Sequence, residues 1–122
     1  MLVAVDFSEV TGDLMRAVAM LARALGAEVR LVHVAPPEPD FVGYEVGPDT
    51  VRQRIAEEYR AARQQLHALE ESLRGETPRV SALMVQGDPV EKILASAREF
   101  AADLIALGSH GHGALYELLV GS

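Results

Sequence analysis

The sequence predicts an α/β fold in which helices cover the faces of a parallel sheet. Four short apolar runs alternate with three segments whose apolar residues recur at helical spacing, which gives the order β-α-β-α-β-α-β. Glycine, proline and aspartate mark the boundaries between these segments. Polar and glycine-rich stretches follow the first and the last apolar run, as ligand-binding loops do in parallel sheets.

The first part of the chain is predicted to contain two strands and one helix. Residues 1–5 form an apolar run that predicts a buried strand, and residues 28–34 predict a second strand that Pro36 and Pro37 end. Gly26 stands where a glycine that ends a helix belongs. The predicted apolar face of the helix consists of Leu14, Ala17, Val18, Leu21, Ala22 and Leu25.

A long second helix is predicted after a proline-rich loop at residues 36–48. Thr50 and Gln53 predict a capping box at its start, and Gly75 and Pro78 end it. We expect its apolar stripe to face the core, with a dimer surface as the alternative. That stripe consists of Val51, Ile55, Tyr59, Leu66, Leu69 and Leu73.

The last part predicts a strand at residues 80–85, a third helix and a final strand at residues 103–107. Asp88 is the expected N-cap of the helix, with Pro89 at its first position and Glu91 at its third. The expected buried face of this helix consists of Ile93, Leu94, Ala97 and Ala101.

Right-handed crossovers and the common doubly wound topology predict the strand order 3-2-1-4. The first and fourth strands are then neighbours, and the strand order reverses between them. Residues 6–8 and 108–111 leave these two strands at their carboxyl ends. Because open α/β sheets bind ligands at this point, we expect the binding site there.

Composition narrows the range of functions. The length of 122 residues fits one domain, residues 1–122, and the net charge of −7 argues against nucleic acid as a partner. Cysteine is absent, and we expect no membrane span or leader and a cytoplasmic location. The single lysine is Lys92, and no basic residue follows Arg98. A phosphate held by the glycine-rich segment must therefore be held by amides, hydroxyls, imidazoles or a metal ion.

The segment that follows the fourth strand contains the pattern G-x2-G-x9-G-S, formed by Gly108, Gly111, Gly121 and Ser122. This pattern resembles the nucleotide-binding signature of the universal stress protein family, in its ATP-binding branch. Residues 3–9 resemble the first strand of that family and its D-x-S turn. Residues 31–34 resemble its second strand and residues 86–89 its turn before the third helix, so the resemblance covers essentially the whole chain.

The resemblance implies a flavodoxin-like, adenine-nucleotide-binding three-layer sandwich that holds ATP with Mg²⁺ at the strand ends. Adenine would lie near Ala4, Val5 and the backbone of Val34, while Asp6 would face the ribose or a metal-phosphate group. The expected contacts of the ribose and phosphates are Leu107, Gly108, Ser109, His110, Gly111, His112, Gly113, Gly121 and Ser122.

Family members continue past the Gly-Ser pair into a final helix and a fifth strand, which this sequence lacks. The resemblance therefore implies a C-terminally truncated domain with an uncovered sheet edge. We expect such an edge, or the long helix, to support a homodimer or a higher oligomer.

The function that the resemblance implies is that of a stress-linked sensor or adaptor that binds ATP. We expect no catalytic residues and at most slow ATP hydrolysis, because no general base or cationic clamp is evident. The first alternative is a nucleotide-free dimeric stress protein that works through protein contacts. The second is an enzyme of adenylyl transfer or flavin-linked electron transfer.

Several residues also have simpler interpretations. The glycines of the last segment would serve only in turns if no ligand binds, and Asp6 and Ser8 would serve as local caps of the first helix. His110 and His112 make a poor metal pair without a third ligand. His33 is expected to be a structural histidine within its strand.

Overall fold

A computed structural model describes residues 1–37 and 48–108. Its elements follow the predicted alternation of strands and helices. They are β1 (Leu2–Ala4), α1 (Thr11–Leu25), β2 (Val29–Ala35), α2 (Pro48–Arg74), β3 (Val80–Gln86), α3 (Pro89–Phe100) and β4 (Ile105–Leu107). None of the helices in these two ranges is long and apolar enough to cross a membrane.

The four strands form one parallel sheet in the order β3-β2-β1-β4, which confirms the predicted topology. Ala4 is paired with Val32 on one side and with Leu107 on the other, so β1 and β4 end at the same level. The pairing of β2 with β3 continues to Ala35 and Gln86. At a rise of about 3.3 Å per residue, β2 extends about 10 Å beyond β1, so the carboxyl edge of the sheet is stepped.

Side chains alternate between two buried clusters, one on each face of the sheet. On one face, Val3 of β1 and Leu31 of β2 pack with Val18 of α1 and Leu66 of α2. On the other face, a smaller cluster joins the sheet to α3 and consists of Leu2, Ala4, Val32 and Ile93. The molecule is therefore a three-layer sandwich, with α1 and α2 on one side of the sheet and α3 on the other.

The helix ends agree with the predicted signals at three of four places. Arg74 is the last residue of α2, directly before Gly75, which was predicted to end this helix. Gly26 ends α1 with a left-handed φ of 61°, and the Asp88 side chain accepts a hydrogen bond of 3.0 Å from the Glu91 N–H. The predicted capping box at Thr50 and Gln53 is wrong, because α2 already begins at Pro48. Proline suits the first position of a helix, where its missing N–H would have no intrahelical acceptor.

The predicted apolar faces of α1 and α3 are only partly correct. Leu21 and Leu25 of α1 are 41% and 66% exposed, and Leu94 of α3 is 36% exposed. Each helix buries only a narrow stripe of side chains against the sheet, so these leucines on its flanks remain outside the contact. Ala17 and Ala101 are also exposed, while the buried positions of the two helices are Thr11, Val18, Ala19, Ala22, Ile93 and Ser96.

Replacing Asp88 with alanine should lower the free energy of unfolding by about 1 kcal/mol, since α3 loses its N-cap acceptor. Urea denaturation followed by circular dichroism measures the change. Asp88→Asn keeps an acceptor oxygen and should stay within about 0.5 kcal/mol of the wild type. Equal losses in the two variants would contradict the capping role.

Candidate functional site

The candidate site lies where β1 and β4 end side by side in the sheet. The strand order brings the carboxyl ends of β1, β2 and β4 together, as predicted. Six of the predicted site residues lie near these strand ends or directly after them, namely Ala4, Val5, Asp6, Val34, Leu107 and Gly108. The other predicted site residues lie outside the described part of the chain. These are Ser109, His110, Gly111, His112, Gly113, Gly121 and Ser122.

The side chains of Ala4 and Val5 are packed inside the protein. Each residue is 3% exposed, Ala4 in the cluster with α3 and Val5 in the cluster with α1 and α2. Neither side chain is available to a ligand in solution. The contribution of these two residues to a site is therefore limited to their main-chain groups.

Val34 presents a peptide edge beyond the end of β1. The Val5 N–H donates to the Val32 carbonyl at 2.9 Å, and within residues 1–37 and 48–108 this is the last main-chain hydrogen bond between β1 and β2. Peptide groups alternate in direction along a strand, so the N–H and carbonyl of Val34 point to the same side as those of Val32. A donor and an acceptor thus lie side by side above the end of β1.

The turn after β1 is held by Asp6. Its Oδ1 accepts a hydrogen bond of 3.0 Å from the Ser8 N–H, and the intervening Phe7 has a positive φ of 60°. Asp6 therefore has the local role that was considered for it, while the described residues supply no hydrogen bond to its Oδ2.

Ser8 contributes to the start of α1 through its main chain instead of its side chain. Its carbonyl accepts from the Thr11 N–H at 3.0 Å, while the described part of the chain supplies no partner for its Oγ. The expected side-chain cap at Ser8 is wrong, because Val10 is the N-cap residue and offers no side-chain acceptor.

His33 connects the end of β2 to the turn after β1. Its Nδ1 lies 2.8 Å from the Val5 carbonyl oxygen, and its ring centroid lies 4.5 Å from that of Phe7. This confirms the prediction of a hydrogen-bonded structural histidine. The link of His33 to β1 was not predicted, although Val29, Leu31 and His33 share one face of β2 and His33 lies near the end of that strand.

Gly108 brings the exit of β4 against the residue that precedes α1. A β-carbon at this position would lie 2.5 Å from Cγ2 of Val10, which is closer than real side chains approach. The main chain at Gly108 and the start of α1 are therefore in direct contact. A glycine at the first position of the G-x2-G-x9-G-S pattern thus has a packing reason that is independent of any ligand.

A cavity of about 370 Å³ lies beside the site, between α2 and the ends of β2 and β3. His33, Tyr59, Met84 and Gln86 contribute to its walls. Within the described ranges, histidine, aspartate and glutamate form no group of three that could hold a metal ion. At the strand ends themselves, the described residues offer main-chain groups and the Asp6 carboxylate to a ligand.

Comparison with known proteins decides the family. The universal stress protein family model matches residues 1–122. The chain belongs to this family. A universal stress protein from Thermus aquaticus is 37% identical over 103 residues, which cover 83% of this chain and 69% of the relative.

Solved structures of universal stress proteins share the fold. A family member from Burkholderia pseudomallei has a TM-score of 0.74 and 26% identity, with 98% of this chain and 85% of that chain covered. A universal stress protein in complex with cAMP has a TM-score of 0.61 and 20% identity, with 99% of this chain and 83% of that chain covered.

Proposed function

We propose that this universal stress protein binds an adenine nucleotide at the carboxyl ends of β1, β2 and β4 and acts as a nucleotide-dependent stress sensor or adaptor. The observation that carries the proposal is the stepped edge of the sheet. There the peptide groups of Val34 lie beyond the last hydrogen bond to β1, and Asp6 and Gly108 follow the neighbouring strands.

The Val34 peptide edge suits an adenine ring. Adenine presents an amino donor beside a ring-nitrogen acceptor, and the main chain of Val34 offers a carbonyl acceptor beside an N–H donor. The main chains of Ala4 and Val5 would border the ring from the side of β1. Such recognition needs no particular side chain at these three positions, which agrees with the burial of Ala4 and Val5.

Asp6 and the glycine-rich segment would hold the rest of the nucleotide. The Asp6 Oδ2 would accept from a ribose hydroxyl or bind Mg²⁺, an ion that prefers carboxylate and phosphate oxygens. Leu107 and Gly108 would lie under the ribose, because they follow β4 directly beside β1. Main-chain amides and hydroxyls would surround the phosphates, supplied by Ser109, His110, Gly111, His112, Gly113, Gly121 and Ser122.

The phosphate state of the nucleotide is part of the proposal. The G-x2-G-x9-G-S pattern supports ATP with Mg²⁺, since a lysine-free segment rich in glycine can hold several phosphates through its amides. The universal stress protein in complex with cAMP shows that the same fold accommodates an adenine nucleotide with one phosphate. At 20% identity, that structure shows only that the two proteins share a fold. Whether this chain prefers ATP or cAMP must therefore be measured.

Isothermal titration calorimetry tests the proposal with ATP, ADP, AMP and cAMP, each with and without Mg²⁺. We expect saturable binding of ATP and at least about tenfold weaker binding of GTP, because guanine reverses the donor and acceptor that face Val34. Gly111→Val should weaken ATP binding at least about tenfold by filling the space of the phosphates.

Gly75→Ala is the matched control, because its added β-carbon would meet only the Ser72 carbonyl oxygen at 3.4 Å. This variant should bind ATP as the wild type does. Circular dichroism of each ligand-free variant shows whether the fold survives. If equilibrium dialysis of the folded wild type gives no uptake of any adenine nucleotide, the proposal is wrong.

A further inference from the structure

His33 contacts a carbonyl oxygen that the main chain of β2 would bond in a regular ladder. Along β2, the Arg30 N–H donates to the Met1 carbonyl at 2.9 Å, and the Val32 carbonyl accepts from the Val5 N–H. In a regular parallel ladder the next bond would run from the Val34 N–H to the Val5 carbonyl. The described residues show no such bond, and Nδ1 of His33 lies 2.8 Å from that carbonyl oxygen instead.

The histidine must donate in this contact. A carbonyl oxygen only accepts hydrogen bonds, so this hydrogen bond requires a proton on Nδ1. The link joins residues 28 positions apart in the sequence. It therefore ties the end of β2 to the peptide directly before Asp6.

The same ring also supports an unusual backbone conformation. Phe7 has a backbone φ of 60°, a value that residues other than glycine rarely adopt. A residue in this conformation needs support from its surroundings. The support comes from two contacts on either side of the turn. The Phe7 ring lies 4.5 Å from the His33 ring, and the Asp6 Oδ1 bonds the Ser8 N–H across it.

We propose that His33 is a positioning residue of the nucleotide site, which holds the Val5 carbonyl away from the Val34 N–H and supports the Asp6 turn through Phe7. The inference rests on the proposed function, since this N–H is the donor offered to adenine. Without the His33 donor, the Val34 N–H would close onto the Val5 carbonyl, and the ligand would have to break that bond.

His33→Phe removes the donor and keeps an aromatic ring beside Phe7. We expect its affinity for ATP to fall about 3- to 10-fold, which corresponds to the loss of about one hydrogen bond. We also expect the Val34 amide of the ligand-free variant to exchange with solvent at least about tenfold more slowly than in the wild type, because it has gained an acceptor. NMR hydrogen exchange measures the second effect.

Two further variants separate positioning from general stability. His33→Asn places an amide donor where Nδ1 stood but lacks the ring that contacts Phe7, so its affinity should lie between those of His33→Phe and the wild type. Arg30→Met removes the 3.2 Å contact from Arg30 Nε to Ser81 Oγ at the other end of β2. This control should lower the melting temperature and leave the affinity for ATP unchanged.

The outcomes distinguish this inference from the proposed function. If the wild type binds ATP and His33→Phe leaves either the affinity or the Val34 exchange unchanged, the positioning role is wrong and the nucleotide site stands. If the wild type binds no adenine nucleotide, the proposed function fails and the positioning role fails with it. Long-range ¹⁵N NMR of the wild type needs no variant, and a ring protonated at Nε2 alone would overturn the role of His33.

Discussion

Replacing Ile93 with alanine should lower the free energy of unfolding by about 3 kcal/mol, within the range of about 2–5 kcal/mol that buried isoleucines give. Ile93 is 1% exposed and packs with Leu2, Ala4 and Val32 of the sheet. Within the described residues it is the one large side chain that α3 buries completely. The truncation removes the contact of this helix with the sheet and leaves a cavity that β-strand neighbours cannot fill.

Urea denaturation measures this loss, and Leu94→Ala is the matched control on the same helix. Leu94 is 36% exposed, so its truncation should cost less than about 1 kcal/mol. The sequence pattern assigned both residues to the buried face, and only the structure separates them. Equal losses in the two variants would contradict the orientation of α3 on the sheet.

The Ile93 cluster also lies under the candidate site. Ala4 belongs to it, and Val34 and Leu107 pack against it from β2 and β4. The strands that carry the proposed adenine and ribose contacts therefore share their support with α3. For this reason Ile93→Ala should also weaken nucleotide binding, although Ile93 lies within the core.

Signals that act within a few residues could be read from the sequence. Gly26 and Asp88 marked helix ends correctly because a left-handed glycine and a side-chain acceptor act on their immediate neighbours. The strand order followed from the handedness of crossovers. These rules were sufficient to place Asp6 and Gly108 at adjacent strand ends.

The rotation of a helix on its sheet could not be read in the same way. Helical spacing groups Leu21 and Leu25 with Val18, but the sheet contacts only a narrow stripe of α1, so the two leucines stay exposed. Ala101, which follows the last residue of α3, adopts a left-handed φ of 53°, a conformation for which glycine is the expected residue. Both features depend on packing between elements that are distant in the chain.

The same limit applies to the details of the site. His33 lies against the Val5 carbonyl beside Val34, and the tight fit of Gly108 involves Val10. The sequence identified Val34 through a family resemblance alone, and it placed Gly108 at a strand end without indicating its contact with Val10. Both contacts join residues that are far apart in the chain, which is why local sequence signals do not reveal them.

Gly108→Ala should lower the free energy of unfolding by about 1–3 kcal/mol, because the new β-carbon would lie 2.5 Å from Cγ2 of Val10. The cost is steric, since Gly26 and Gly87 have positive φ values in the described residues and Gly108 does not. Relief would require β4 to move away from the start of α1. Such a movement would also displace Leu107 from β1 and weaken ATP binding.

The double variant Gly108→Ala/Val10→Ala tests this explanation directly. Val10→Ala removes the Cγ2 atom that the new β-carbon would meet, so the double variant should be more stable than the sum of the two single losses predicts. We expect a coupling energy of about 1 kcal/mol or more from urea denaturation of the four proteins. Additive losses would mean that Gly108 is constrained by something other than Val10. If ATP binding recovers together with stability in the double variant, the contact between Gly108 and Val10 belongs to the nucleotide site.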